Sequence, residues 1–205
     1  MKDLIRLADA DLLQKALSLP PKRSTIMLSD VELNVLEWGD QEKPGLLFIH
    51  GGAAHAHWWS FIAPFFLPDY HCIAIDLSGH GDSARRSEYT PELWYQEVFQ
   101  LANSDALFHS IPVIIGHSMG GLIGIRAAAV LGAALPGLVI IDSAVRPDFP
   151  DHDRRRKSVN LLSKQRTYES RQQILSRFRL LPPQDCKNTN ILQYIAAESI
   201  RPLDD

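Results

Sequence analysis

Four short runs of apolar residues shape the middle of the chain, and each ends in a polar residue. They are GLLFIH at 45–50, HCIAID at 71–76, PVIIGH at 112–117 and GLVIID at 137–142. Apolar runs without alternation are typical of strands in a parallel sheet that is covered on both faces. The segments between them have room for helices, predicted at roughly 58–66, 92–109 and 118–133. We therefore predict an α/β fold with a doubly wound, mostly parallel sheet, whose ligands bind beyond the carboxyl ends of the strands.

The flanking segments have different patterns. Leucines near helical spacing predict a helix within residues 3–18, and TIMLSDVELNVLEW predicts two strands that form a hairpin at the edge of the sheet. Past Ala144 the pattern changes to two or three amphipathic helices, interrupted by prolines. We divide the chain into an N-terminal helix and linker at 1–24, a core of six strands at 25–145, and a helical segment at 146–205.

Composition excludes several classes of protein. The chain has 205 residues, 45% of them hydrophobic and 22% charged, with a net charge of −3, as expected for one soluble globular domain. The basic run DRRRK at 153–157 could contact an anion, but nearby acidic residues favour a solvated helix face. We predict no nucleic-acid partner.

The two cysteines and the N-terminus bear on location. Cys72 and Cys186 have neither disulfide-framework nor metal-ligand spacing, so we expect a reducing compartment. Charges interrupt every apolar stretch of MKDLIRLADADLLQKAL, which predicts neither a signal peptide nor a membrane span. A cytoplasmic protein without membrane association is the expectation, and we predict no metal and no cofactor.

A serine lies at the centre of GHSMG, residues 116–120, between the third apolar run and a predicted helix. In this context GxSxG forms a tight strand-to-helix turn, where glycines avoid clashes and the serine is exposed at the tip. We predict that Ser118 is a nucleophile, since the helix N-terminus behind it favours an anion forming on an attacked carbonyl. The alternative is that Ser118 only caps the helix.

The loop HGGAAH at 50–55 follows the first apolar run and is rich in small residues. Backbone N–H groups of such a loop complete an oxyanion hole together with the N–H that follows the nucleophile. The predicted donors are Gly52 and Met119, with Ala53 as a substitute for Gly52. The loop has neither the GxGxxG nor the GK[ST] pattern of phosphate-binding loops.

Four further residues are candidates for contacting a substrate: His50, Gly51, Trp58 and His117. Trp58 and the adjacent Trp59 could equally belong to the core. His55 and His57 lie close to the same loop and could also hydrogen-bond a substrate.

Taken together, LLFIHGGAAHAHWW, IAIDLSGHGDS, VIIGHSMGG and LVIIDSA have the order and spacing of the α/β-hydrolase fold family, which the sequence resembles over roughly residues 25–145. The resemblance implies a serine hydrolase that acts on a small carboxylic ester-like substrate through an acyl-enzyme. It also implies that residues 146–205 form a partial helical cap, and that Asp76, His80 and Asp82 are structural. Serine instead of aspartate at the nucleophile position argues against the dehalogenase and epoxide-hydrolase branches.

The acid and the base that would activate Ser118 are harder to identify. In this family the chain order is serine, acid, histidine, and the one histidine after Ser118 is His152. Asp142 and His152 satisfy that order, but His152 precedes most of the expected cap, whereas the family's histidine follows the last strand. We therefore expect the chain to end before the last two strands of the fold, with little or no turnover by itself.

One consequence and two alternatives remain. The sixth strand would have an unpaired edge, open to self-association or to a complementing chain. The chain could instead be a non-catalytic binding or interaction module on the same fold. A C–C bond hydrolase or lactonase is the other alternative, because both need a serine and an oxyanion hole.

Overall fold

The computed structural model describes residues 9–145, 167–181 and 183–202. Its strands are β1 (Lys22–Leu28), β2 (Val31–Trp38), β3 (Gly45–Ile49), β4 (His71–Ile75), β5 (Val113–His117) and β6 (Leu138–Ile141). They form one sheet in the order β1-β2-β4-β3-β5-β6. The last four pair in parallel, while β1 and β2 form an antiparallel hairpin that joins the sheet through β4. The predicted α/β fold, mostly parallel sheet and edge hairpin are confirmed.

The helices are α1 (Asp9–Leu17), α2 (Pro91–Ala102), α3 (Met119–Leu131), α4 (Arg171–Arg177) and α5 (Thr189–Glu198). Within the described residues, none is long and apolar enough to cross a membrane. The α-helix predicted at 58–66 is wrong, because two 3₁₀ helices, Ala56–Trp59 and Ala63–Phe66, occupy this region. Pro64 lies in the first turn of the second, where a missing N–H is tolerated. The helix predicted to reach residue 109 ends at Ala102, where the Asn103 side chain donates to Phe99 O at 2.8 Å.

The sheet is covered on both faces, which explains the continuous apolar runs. Side chains of Leu47 and Ile49 in β3 pack in one buried cluster with α2 and α3. Their neighbours Leu46 and Phe48 pack on the opposite face, with the two 3₁₀ helices. Because successive side chains of a strand point to opposite faces, both sets must be apolar.

The C-terminal part of the described chain contacts the core through α5 and the residues that follow it. Helix α5 buries Ile195 and Ala196 and packs against the 3₁₀ helix Ala56–Trp59. That short helix directly follows the HGGAAH loop, so α5 lies close to the carboxyl ends of the parallel strands.

Candidate active site

Ser118 lies on a sharp turn between the last residue of β5 and the first residue of α3. Its backbone has φ 50° and ψ −114°, in the left-handed half of the φ range that side-chain-bearing residues rarely adopt. A conformation of this kind stores roughly 1–3 kcal/mol of strain and persists only where the surroundings impose it. The turn presents the serine at its tip, in the geometry predicted from GxSxG.

Close packing around the turn imposes this conformation. A Cβ atom added to Gly120 would lie 2.5 Å from Ile49 O and 2.6 Å from His50 O, and one added to Gly116 would collide with Gly120 O. Ser118 N donates to Ile141 O at 2.9 Å, and Ser143 Oγ donates to Ser118 O at 2.8 Å. The Ser118 side chain makes no capping hydrogen bond to α3, which argues against a purely structural cap.

The HGGAAH loop lies against the same turn. Gly51 is buried, and a Cβ atom placed on it would be 2.8 Å from His117 Nδ1 and 3.3 Å from Ser118 Cβ. Gly52 is exposed, and its Cβ position is 3.8 Å from Met119 Sδ. The structure therefore brings the two predicted oxyanion donors, Gly52 and Met119, next to each other and next to Ser118. Ala53, the substitute donor, has a positive φ of 56°.

Both ring nitrogens of His50 make hydrogen bonds that hold this loop in place. Its Nδ1 is 2.7 Å from Gly51 O and its Nε2 accepts from Leu77 N at 3.1 Å, so Nδ1 carries the hydrogen. Burial lowers the pKa of His50, which keeps the ring neutral. With both nitrogens occupied, His50 orients the Gly51 carbonyl and hence the peptide that bears the Gly52 N–H.

Trp58 and His117, the two remaining predicted contacts, lie against each other. The Trp58 ring stacks on the His117 ring, with centroids 6.3 Å apart and planes 18° from parallel. Both residues are half-buried, whereas Trp59 is buried against Phe48 in the core. The sequence left core and pocket wall open for both tryptophans; Trp59 belongs to the core, and a substrate contact of Trp58 stays a prediction.

Asp76 connects three segments behind the site. One carboxylate oxygen accepts from Ala56 N at 2.6 Å, and the other accepts from Asn34 Nδ2 at 2.8 Å and Asp82 N at 2.9 Å. With both oxygens satisfied and its side chain buried, Asp76 acts as the structural residue that the resemblance implies.

An activating pair for Ser118 is absent from the described residues. None of the described histidines is hydrogen-bonded to Ser118 Oγ, and His152 lies outside the described ranges. Asp142 is exposed at the end of β6 with φ 48°. In the same ranges, no cluster of three or more His, Cys, Asp or Glu side chains could hold a metal ion.

Sequence reasoning missed the partners of His55 and His57. His55 Nε2 is 2.9 Å from Ser199 Oγ, and His57 Nδ1 is 3.1 Å from Tyr194 OH. Burial lowers the pKa of His55 to about 4. The partners in these two contacts lie 144 and 137 positions apart in the sequence. Contacts over such distances leave no periodic or local signal in a single sequence.

Comparisons with known proteins agree with this geometry. The family model of the alpha/beta hydrolase family matches residues 46–197. An esterase of Mycobacterium tuberculosis is 32% identical over 149 residues, which cover 70% of this chain and 48% of the relative. Protein phosphatase methylesterase 1 of Mus musculus is 34% identical over 109 residues, covering 49% of this chain and 28% of the relative.

Solved structures show the same fold. A thioesterase domain from the curacin biosynthetic pathway superposes with a TM-score of 0.70 at 19% identity, over 90% of this chain and 69% of the other. A hypothetical protein of Pseudomonas aeruginosa has a TM-score of 0.55 at 26% identity, over 61% and 44% of the two chains. The chain spans about half the length, or less, of the curated relatives it matches. From its family match, its sheet and its strand-to-helix turn, the chain belongs to the α/β hydrolase family.

Proposed function

We propose that this chain carries the nucleophile and the oxyanion hole of a serine hydrolase that cleaves a carboxylic ester-like bond. The observation that carries the proposal is the conformation of Ser118, which has φ 50° between two glycines, Gly116 and Gly120, packed tightly against backbone atoms. A strained, rigidly supported serine at the carboxyl ends of parallel strands is typical of a nucleophile rather than of a helix cap.

The reaction follows from the groups around this serine. Ser118 Oγ loses its proton to a base and forms a bond to the carbonyl carbon, and the carbonyl π electrons move onto oxygen. The N–H groups of Gly52 and Met119 donate to that oxyanion, a stabilisation worth roughly 10²–10³ in rate per donor. Re-formation of the carbonyl expels the alcohol, which takes up the proton. Water then cleaves the acyl-enzyme by the same two steps.

The names of the relatives support an ester-like substrate. An esterase, a methylesterase and a lipase match the chain, and so does a haloalkane dehalogenase of Mesorhizobium japonicum at 28% identity. Ser118 favours the ester group among these, because a dehalogenase forms its covalent intermediate on a carboxylate. The substrate class is therefore an ester-like carbonyl compound.

The base and its acid belong outside the described residues. His50 uses both ring nitrogens in the loop, and His55 and His57 face α5. An unactivated serine reacts slowly, so we expect ester turnover by the 205-residue chain to be weak even where Ser118 is placed correctly.

A fluorophosphonate probe tests the nucleophile directly. At high probe concentration the purified chain should gain one adduct, located on Ser118 by peptide mass spectrometry. Ser118→Ala should gain none, while Ser110→Ala, an exposed serine before β5, should label like the parent chain. An unlabelled parent chain, or an adduct elsewhere, would contradict the proposal and favour a binding module. The rate of hydrolysis of a series of p-nitrophenyl esters is the second measurement. Rapid turnover that depends on Ser118 would show that a base lies within the 205 residues.

The edge of β6 supplies a proposed contact surface. Its side chains Val139, Ile140 and Ile141 are 46%, 40% and 41% exposed in the described structure. We propose that this edge pairs with a further strand, from a second copy or from a complementing chain. Light scattering should show concentration-dependent association that Val139→Lys abolishes, and a strictly monomeric parent chain would contradict self-association.

We propose a reducing, cytoplasmic location together with this function. Both cysteines are free thiols, and burial raises the pKa of Cys72 to about 12, so this thiol stays protonated and unreactive. An unchanged unfolding midpoint on addition of reductant would support the proposal, and a lowered midpoint would contradict it.

A further inference from the structure

A cluster of polar side chains joins α5 to the short helix Ala56–Trp59. Ser199 Oγ donates to Ile195 O at 2.7 Å, so it accepts from His55 Nε2. His57 Nδ1 is 3.1 Å from Tyr194 OH, and His57 Nε2 is 3.3 Å from Glu198 Oε2. We call His57, Tyr194 and Glu198 the clasp.

The centre of the clasp is His57, whose side chain is only 2% exposed. The contact between Nε2 and Glu198 lacks hydrogen-bond geometry, so the hydrogen bond that joins His57 to α5 is the one between Nδ1 and Tyr194 OH. Burial lowers the pKa of His57, and Glu198 offsets part of that effect. The buried ring is therefore joined to α5 by a hydrogen bond at Nδ1 and by a close contact with the Glu198 carboxylate at Nε2.

An acid, a histidine and a serine also meet here, because Ser60 Oγ lies 3.1 Å from His57 Nδ1. This arrangement is unsuited to catalysis, since Ser60 is 2% exposed and no carbonyl could reach its hydroxyl. The clasp therefore acts on the structure around it and not on a substrate.

The short helix connects the clasp to the nucleophile turn. His57 faces α5, while the next residue, Trp58, stacks on His117, which precedes Ser118 in the chain. Ala56 N is fixed to Asp76, which leaves little freedom at the start of the helix. Any displacement of His57 must consequently move Trp58 with it.

We propose that α5 positions one wall of the active site through the clasp, with His57 as the positioning residue that holds Trp58 against His117. The clasp itself is independent of catalysis. The inference rests on the proposed function only in treating this wall as part of an active site.

Near-ultraviolet circular dichroism tests the inference without any turnover. The difference between the parent chain and Trp58→Phe gives the signal of Trp58, which depends on a fixed ring environment. We expect His57→Ala and Glu198→Ala to lose that signal, and we expect the same of His117→Ala. His57→Gln, which can still hydrogen-bond to Tyr194 OH, should recover much of it.

Matched controls separate the clasp from other contacts of α5. Glu198 also pairs with Arg23 at 3.4 Å, so Arg23→Gln removes the surface pair and leaves His57 in place. Gln193→Ala changes an exposed residue of the same helix. Both should keep the Trp58 signal.

Retention of the Trp58 signal in His57→Ala and Glu198→Ala would overturn the inference. Far-ultraviolet dichroism checks folding, and if His57→Ala fails to fold, the partly exposed Glu198 still provides the test. The two proposals can fail separately. If the probe does not label Ser118 but the Trp58 signal depends on the clasp, only the proposed function is contradicted. If the probe labels Ser118 but the Trp58 signal does not change in the clasp variants, only this inference is contradicted.

Discussion

The tripeptide Val-Ile-Ile occurs in both β5 and β6, at 113–115 and at 139–141. In β5 it lies inside the sheet, and Ile114 is 0% exposed. In β6 the corresponding Ile140 is 40% exposed, although the two strands are hydrogen-bonded neighbours. The same tripeptide is thus buried in one strand and exposed at the edge of the sheet in the other.

The difference lies in what surrounds each strand. β5 has a parallel strand on each side and leads directly into the turn that carries Ser118. β6 has a partner on one side within the described residues and supplies Ile141 O to hold Ser118 N. Ser118 therefore follows a strand with a neighbour on each side, and its backbone N–H is bound by a strand that has one neighbour within the described residues.

The largest expected effect comes from truncating the same residue in each tripeptide. Ile114→Ala removes a fully buried side chain and should lower the free energy of unfolding by about 4 kcal/mol. Ile140→Ala should lower it by less than about 1 kcal/mol, because the side chain is already half in solvent. Urea unfolding measures both. Equal losses would mean that the β6 edge is covered in solution.

Two glycines extend the comparison to backbone packing. Gly120→Ala forces a Cβ onto two carbonyl oxygens at the nucleophile turn, and should cost about 3 kcal/mol. Gly137→Ala, just before β6, has its closest neighbour at an ordinary 3.6 Å and should change stability by at most about 1 kcal/mol, in the stabilising direction. The same urea measurement checks both, and a tolerated Gly120→Ala would contradict the close packing of the turn.

The pH dependence of stability should also separate the two regions. His55 lies beside the nucleophile loop with a pKa of about 4, whereas residues 132–145 contain no histidine. The unfolded chain binds this proton below about pH 6.5 and the folded chain does not, so stability falls as pH decreases from 6.5 towards 4. His55 alone should account for about 2 kcal/mol between pH 7 and pH 5.

His55→Asn is the matched variant for this prediction. It should show a shallower loss of stability over the same pH interval, because the titrating group is gone. An unchanged slope would show that His55 is protonated in the folded chain, contrary to its burial.

The smallest effect concerns backbone strain at two of the positive-φ positions, Ser118 and Asp142. Ser118→Gly should raise the free energy of unfolding by about 1 kcal/mol while abolishing probe labelling, whereas Ser118→Ala should abolish labelling without that gain. Asp142→Gly, at φ 48° after β6, should give a smaller gain because aspartate tolerates the left-handed region better. A larger gain at Asp142 would place the stored strain at the edge rather than at the nucleophile.

Much of the fold could be predicted from the sequence. Strand positions, the edge hairpin and the helix after Ser118 follow from local apolar patterns, which report which faces are buried. The prediction of a helix at 58–66 was wrong because the spacing of apolar residues in this compact loop resembles that of a helix. Pro64 and the limited space between β3 and β4 give two 3₁₀ turns instead.

The candidate site divides in the same way. Gly52, Ser118 and Met119 could be proposed from the sequence alone, because a tight turn requires glycines at fixed spacing, and their catalytic roles stay predictions. The roles of His50 and His57 were not found, because they depend on Gly51, Leu77, Tyr194 and Glu198, which come together only after the sheet and α5 have packed.

The sequence by itself determined the order of strands and helices and the turn that presents Ser118, since both depend on local spacing and on where glycine is needed. Only the tertiary structure decided which Val-Ile-Ile is buried, which tryptophan stacks on His117 and which histidine holds the loop. Burial and hydrogen bonding depend on neighbours from distant parts of the chain, and a local sequence pattern contains no information about those neighbours.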